Sequence, residues 1–122
     1  MKTDIILSGV GGQGILTIAA VIGYAALNEN LYIKQAEVHG MSQRGGAVQS
    51  NLRISDKPIH SDLIPEGNAD ITLSVEPLEA LRYLSYLSKD GWIVTNEQPF
   101  VNINNYPDID AIYNEIAAYK NH

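Results

Sequence analysis

The chain contains no cysteine in 122 residues. That absence excludes a disulfide framework, a thiolate nucleophile, a zinc–thiolate site and an iron–sulfur cluster held by the chain's own side chains. Positive charge is also scarce. Eight Lys and Arg stand against 14 Asp and Glu, for a formal net charge of −6, and no basic cluster forms. Such a surface does not neutralise a phosphate backbone, so no nucleic-acid partner is expected. Long hydrophobic runs are missing too. The longest, GILTIAAVIGYAAL at 14–27, is too short to span a bilayer and suits a buried helix. The opening MKTDIILSG has one lysine and a short apolar run, and does not read as a signal peptide. No membrane association is expected, and the cytoplasm is the default compartment.

What is present suits one folded domain over residues 1–122, with a 45% hydrophobic content and enough length to bury a core. DIILS at 4–8 reads as a buried strand. A helix at 13–28 follows, apolar almost all round, and it is expected to lie sandwiched in the core. LYIKQAE at 31–37 reads as a second strand, parallel to the first through a crossover. In AVQSNLRIS at 47–55, Val48, Leu52 and Ile54 share one face, while Gln49, Asn51 and Arg53 share another that suits solvent or an interface. Residues 55–58 read as a turn and 59–61 as the returning arm of a hairpin. Further strands are expected at 70–76 and 91–96. Between them a helix begins at Pro77 and carries Leu78, Leu81, Leu84 and Leu87. Pro107 and Asp108 open a last helix with Ile109, Ile112, Tyr113 and Ile116 on one face. Alternating strands and helices make a three-layer α/β fold, with a mostly parallel sheet, helices on both faces, a β-hairpin insertion and a Rossmann-like start. A parallel sheet usually continues into another strand after such a helix, so the domain reads as shortened at its C-terminus.

Two loops carry chemistry. Gly9-Val10-Gly11-Gly12-Gln13-Gly14 fits the G-x-G-x-x-G pattern directly after a strand and before a helix. There, glycines let the backbone approach a phosphate and the helix N-terminus offers free N–H groups. The alternatives are that these glycines only bring the helix close to the sheet, or that they bind a dinucleotide. A dinucleotide site also wants an acid at the end of the second strand. Glu37 holds that position, although the chemistry after it is not of the usual kind.

The second loop is EVHGMSQRGG, residues 37–46. Arg44 beside Gly45 and Gly46 can form an anion site, a guanidinium fork next to backbone donors, or can simply pair with a nearby carboxylate. His39 titrates near neutrality but has no serine or carboxylate placed by the sequence to work with it, so a hydrogen-bonded loop histidine is the simpler reading. Met41 suits packing or an adaptable contact surface. Glu37 and His39 would need a third ligand from His60 or Asp62, whose spacing does not support one, so no metal is expected. HSDLIPEG at 60–67 reads as a turn more than as a site. The residues make part of a site, with no complete catalytic set in this chain.

GVGGQGILTIAAVIGYAAL, KQAEVHGMSQRGGAVQSNLRIS and SDLIPEGNADITLSVEPLEALRYL together resemble the gamma-type domain of 2-oxoacid:ferredoxin oxidoreductases. Among these they are most similar to the beta subunits of indolepyruvate ferredoxin oxidoreductases. The resemblance implies a subunit of an enzyme that converts a 2-oxoacid and coenzyme A to an acyl-CoA and carbon dioxide, with electrons passing to ferredoxin. It implies that thiamine diphosphate and iron–sulfur clusters lie in a partner large (alpha) subunit, with coenzyme A a candidate ligand of this chain. By motif, Gly9, Gly11, Gly12, Gln13 and Gly14 form the first loop. Glu37, His39, Met41, Ser42, Gln43, Arg44, Gly45 and Gly46 belong to the second, facing substrate or partner. A free-standing nucleotide-binding module and a pure assembly scaffold are the rival readings.

Overall fold

The computed structural model describes residues 1–11, 14–39, 47–101 and 105–122. Five strands form one mixed sheet: β1 (Lys2–Val10), β2 (Tyr32–His39), β3 (Ala47–Ser55), β4 (Ala69–Ser74) and β5 (Leu87–Thr95), in the order β2-β3-β1-β4-β5. β1 pairs parallel with β4, and β4 with β5, whereas β3 runs antiparallel to both β1 and β2. Four of the five strands therefore point the same way. β1 and β2 are parallel, as the crossover reading requires, but β3 lies between them. The hairpin also sits elsewhere than expected. Residues 59–61 form no strand, and the antiparallel neighbours are β2 and β3, joined through 40–46.

α1 (Ile15–Asn28) covers one face of the sheet. α2 (Pro77–Arg82), a 3₁₀ turn at Leu84–Tyr86 and α3 (Ile109–Ala117) cover the other. Alternation along β1 divides the core: Ile5 and Leu7 join the α1 side, and Ile6 packs with Ile64 and Ala69 on the opposite side. Ile6, Leu7 and Leu52 are fully buried, each contributing about 1.5–3 kcal/mol of burial free energy. α1 ends in a helix stop built on Asn30, whose φ of 59° is left-handed. The Leu31 N–H then reaches back to the Ala26 carbonyl at 3.0 Å, which turns the chain into β2. The leucines from Leu78 to Leu87 pack in one cluster with Ala80, Ile93, Ile112 and Ile116. Their three-residue spacing spans a short α-helix, the 3₁₀ turn and the first residue of β5, because 3₁₀ geometry repeats every three residues.

One expectation fails on burial. α1 is not sandwiched in this chain: Leu16, Val21, Tyr24 and Leu27 are 59–74% exposed, since this face of the sheet has a single helical layer among the described residues. The polar face of β3, read as suiting solvent or an interface, meets another segment of the chain. Gln49 and Asn51 are buried, and Arg53 is largely covered. The segment 61–64 folds over that face and supplies backbone partners: the Ile64 N–H donates to Asn51 Oδ1 at 3.1 Å, and Arg53 donates to the Ser61 and Leu63 carbonyls.

Candidate functional site

Because β1, β2, β4 and β5 run in one direction, their carboxyl ends share one end of the sheet. β1 leads into α1 on one face, and its neighbour β4 leads into α2 on the other. The connections therefore diverge between β1 and β4, opening the crevice where open α/β sheets take ligands. The glycine loop leaves β1 at this crevice. The second loop joins it there: Gly9 pairs with Val48, and Val48 pairs with His39. The described ends of the two sequence-predicted segments thus lie at one rim. Gly12, Gln13, Met41, Ser42, Gln43, Arg44, Gly45 and Gly46 themselves lie outside the described residues.

β1 extends through Gly9 and Val10 before the turn at Gly11. Gly14 caps α1 with φ 85°, in the left-handed region that a side chain strains, yet an added Cβ would meet nothing within 4 Å. Its glycine answers to backbone conformation. Close helix–sheet approach is made at Gly23 instead, where a Cβ would stand 3.1 Å from Ile33 Cδ1. The N-terminus of α1 has no side-chain cap and no acid in its first turn. Among the described residues nothing acidic opposes an anion there, and the dipole at a helix N-terminus suits a phosphate-bearing group. Glu37 fits the dinucleotide scheme poorly: it pairs with Ser50, which pairs with Leu7, so a whole strand separates it from β1. Among the described residues, no group of three or more His, Asp or Glu is placed to hold a metal ion. Residues 60–67 form bends and a turn closed by Gly67 at φ 79°.

The far wall of the crevice holds a residue that sequence reading missed. Glu76, 1% exposed, caps α2. Its Oε1 accepts from the Leu78 N–H (2.6 Å) and Glu79 N–H (3.2 Å), and its Oε2 from the Phe100 N–H (3.0 Å) and the Tyr106 hydroxyl (2.6 Å). One carboxylate thereby ties the helix start to the chain that follows β5. The signal was an acid directly before Pro77, an N-cap followed by proline at the first helical position. Beside it Ser74 Oγ donates to the Glu76 carbonyl at 2.6 Å, and the Asn96 N–H donates to the Ser74 carbonyl at 3.0 Å. These contacts fix the rim where β4 and β5 end.

Glu79, 2% exposed, lies one turn further along α2, with Arg82 Nε 2.9 Å from its carboxylate. Burial pushes its pKa upward, and Arg82 offsets only part of that. The folded state therefore holds the proton more tightly than the unfolded chain. The stability this gives is complete below the ordinary glutamate value and is lost as pH rises through the folded value. Glu79→Gln, which does not ionise, is expected to gain stability relative to the wild type between pH 4 and pH 8. Urea denaturation of both proteins at the two pH values measures it, and parallel pH profiles would refute it.

The described residues make an α/β domain whose crossovers diverge between β1 and β4, with a glycine turn at the end of β1. The chain belongs to the pyruvate ferredoxin/flavodoxin oxidoreductase family, whose pattern it matches over residues 4–120. It is 44% identical over 115 residues to the indolepyruvate oxidoreductase subunit IorB of Pyrococcus horikoshii, a match covering 89% of this chain and 56% of that protein. It is 32% identical to the 2-oxoglutarate synthase subunit KorC of Methanocaldococcus jannaschii, covering 91% of this chain and 58% of the relative. The crystal structure of pyruvate oxidoreductase subunit PORC from Thermotoga maritima has the same fold: TM-score 0.69 and 19% identity, covering 98% of this chain and 58% of the other. The chain thus spans just over half the length of these relatives. Among the described residues, no helix is long and apolar enough to cross a membrane.

Proposed function

We propose that this chain is a non-autonomous subunit of a cytoplasmic 2-oxoacid:ferredoxin oxidoreductase acting on indolepyruvate or a related arylpyruvate. The complex would decarboxylate the 2-oxoacid oxidatively, transfer the acyl group to coenzyme A and pass electrons to ferredoxin. The observation that carries the substrate class is the difference in identity, 44% to an indolepyruvate subunit against 32% to a 2-oxoglutarate subunit. The exposed apolar residues of α1 support a subunit role, since a partner would cover them. Thiamine diphosphate and iron–sulfur clusters belong to a large partner subunit in this reading, because a chain without cysteine supplies no thiolate for a cluster. This chain's share is the crevice rim. The glycine loop and the α1 N-terminus receive a phosphate of coenzyme A, and Arg44 offers its guanidinium to an anionic group of coenzyme or substrate.

The test is reconstitution. Alone, the chain is expected to oxidise no 2-oxoacid. Purified from its native host, it should bring down a cysteine-rich iron–sulfur partner, and the complex should turn over arylpyruvates faster than 2-oxoglutarate. Within the complex, Arg44→Ala should lower turnover or coenzyme affinity on the order of ten- to a hundred-fold, with assembly intact. Arg44→Lys should recover only part of that loss. Gly11→Val should weaken coenzyme A more than the 2-oxoacid. If Arg44→Ala abolishes co-purification and leaves the kinetics of any residual complex unchanged, the loop is an assembly surface. Tight binding of NAD or FAD by the isolated chain would replace the subunit reading with a nucleotide-binding module.

A further inference from the structure

The carboxyl end of the sheet carries a polar row on the α2 side. Ile6 packs toward that side, so by strand alternation Ser8 faces it too. Ser8 stands beside Gln49 of β3 and Ser74 of β4, and Gln49 stands beside Val38 of β2. Gln49 is 7% exposed, and a polar side chain buried to that depth is hydrogen-bonded as a rule. The other polar side chains on this face of β3 obey the rule. Asn51 accepts from the Ile64 N–H, and Arg53 donates to Asp4, Ser61 and Leu63. Ser74 is engaged with the Glu76 backbone. Among the described residues no group bonds to the Gln49 amide. The neighbouring Ser8 Oγ reaches the Glu79 carbonyl only at 3.5 Å, a long and weak bond. Cover also ends here: Ser8 and Ser74 are buried under α2, whereas Val38 is 49% exposed. Gln49 therefore borders the open part of the row, opposite the residue that precedes Gly9 and the glycine loop. Positive charge on this face is already spent, Arg53 on Asp4 and Arg82 on Glu79. What matches Gln49 and Ser8 is thus a neutral group with both a donor and an acceptor, not an anion.

We infer that Gln49 holds a secondary amide of the ligand that reaches this rim, its Nε2 donating to the amide carbonyl and its Oε1 accepting from the amide N–H. In the function proposed above, on which this inference rests, that amide belongs to the pantetheine arm of coenzyme A, beyond the phosphates given to the glycine loop. Pairing also removes the cost of an amide buried without a partner. Gln49 binds and orients the carrier arm and takes no part in the chemistry of the 2-oxoacid.

The test measures dissociation constants by calorimetry in the purified complex, for coenzyme A and for pantetheine, which keeps the amides and lacks the phosphates. Gln49→Met has a similar length and no hydrogen-bonding amide. It should weaken both ligands by the same factor, roughly three- to tenfold. The KM for the 2-oxoacid should stay unchanged, and Gly11→Val should spare pantetheine. Because no described group depends on the Gln49 amide, urea unfolding of the Gln49→Met chain should match the wild type or exceed it. Unchanged affinity for both ligands, in a complex that binds coenzyme A, would overturn the inference and leave the functional reading standing. A loss of stability without a loss of affinity would overturn it too, making Gln49 a structural residue. A rise confined to the KM of the 2-oxoacid would give the amide to that substrate instead. A wild-type complex that binds neither coenzyme A nor pantetheine would defeat the functional reading, and the inference with it.

Discussion

Glu76→Ala is expected to lower the unfolding free energy by about 3–5 kcal/mol, since hydrogen bonds to a charged group contribute roughly 1.5–3 kcal/mol each and add incompletely. The side chain lies where four donors converge. Two are orphan N–H groups at the start of α2, and two belong to the segment after β5. Truncation leaves buried donors unpaired and frees the rim at once, in a domain class whose total stability is about 5–15 kcal/mol. Glu76→Gln separates the two halves. Its amide oxygen can still cap α2, while its amide nitrogen faces the Phe100 N–H donor to donor, so a smaller loss of about 1–3 kcal/mol is expected. Tyr106→Phe removes one donor and should cost about 1 kcal/mol at neutral pH. It also changes the alkaline limb. Burial, then the bond to Glu76, raises the Tyr106 pKa above its ordinary 10.0. The stability this gives is complete below that ordinary value and is lost as pH climbs above it. Tyr106→Phe should therefore lose stability less steeply than the wild type above pH 10. Urea titrations at neutral and alkaline pH measure all three variants. A Glu76→Ala protein within 1 kcal/mol of wild type would show that water replaces the carboxylate.

Much of this architecture is written locally. Short apolar runs ending in glycine or proline place β1 and β4, and the glycine turn before α1 is legible because only a left-handed residue fits at Gly14. Strand order is not local. A helix between two strands specifies that they run parallel, but it does not forbid a later strand from entering between them, as β3 does. Placing the returning arm at 59–61 failed for a related reason. Where the chain passes the polar face of β3, Ser61, Leu63 and Ile64 take backbone partners from the Arg53 and Asn51 side chains and not from a strand ladder. The alternation in β3 identified two faces correctly and left solvent or an interface open for the polar one. Polar side chains facing another segment's backbone give the same pattern as polar side chains facing water. For α1 the reading was wrong. Its composition specifies burial on every side, whereas one chain supplies cover for one side only. Of the predicted site, Gly12, Gln13 and residues 40–46 lie outside the described residues, whereas Glu76 is described and was not foreseen. The one local signal for Glu76, an acid before Pro77, points to a helix cap and says nothing of the Phe100 and Tyr106 donors, which lie 24 and 30 residues away.

Arg53→Ala is expected to destabilise the protein by about 3–5 kcal/mol, the usual cost of removing one partner from a buried ion pair. Asp4 on β1 is 0% exposed, and Arg53 of β3 holds it from the neighbouring strand, with Nε 3.0 Å from Oδ1. Lys2 also pairs with the Asp4 carboxylate, but its side chain is half exposed and offers weaker compensation. The same guanidinium donates through Nη1 to the Ser61 and Leu63 carbonyls, at 3.2 and 3.0 Å. Arg53 thus performs two tasks: it neutralises a buried charge and fastens the segment between β3 and β4 onto the polar face of β3. The tasks can be separated. Arg53→Lys keeps the charge but lacks the planar fork that reaches carboxylate and carbonyls together, so it should retain much of the stability while loosening the segment. Proteolysis under native conditions would then cut within residues 56–63 faster than in the wild type. Asp4→Asn combined with Arg53→Met removes both charges and should recover part of the loss seen in Arg53→Ala, since the penalty of the single change comes largely from the stranded carboxylate. Equilibrium unfolding in urea compares the variants. If the double change is as unstable as the sum of its parts, the fastening of 61–63 outweighs the ion pair, and Arg53 is chiefly a clamp on that segment.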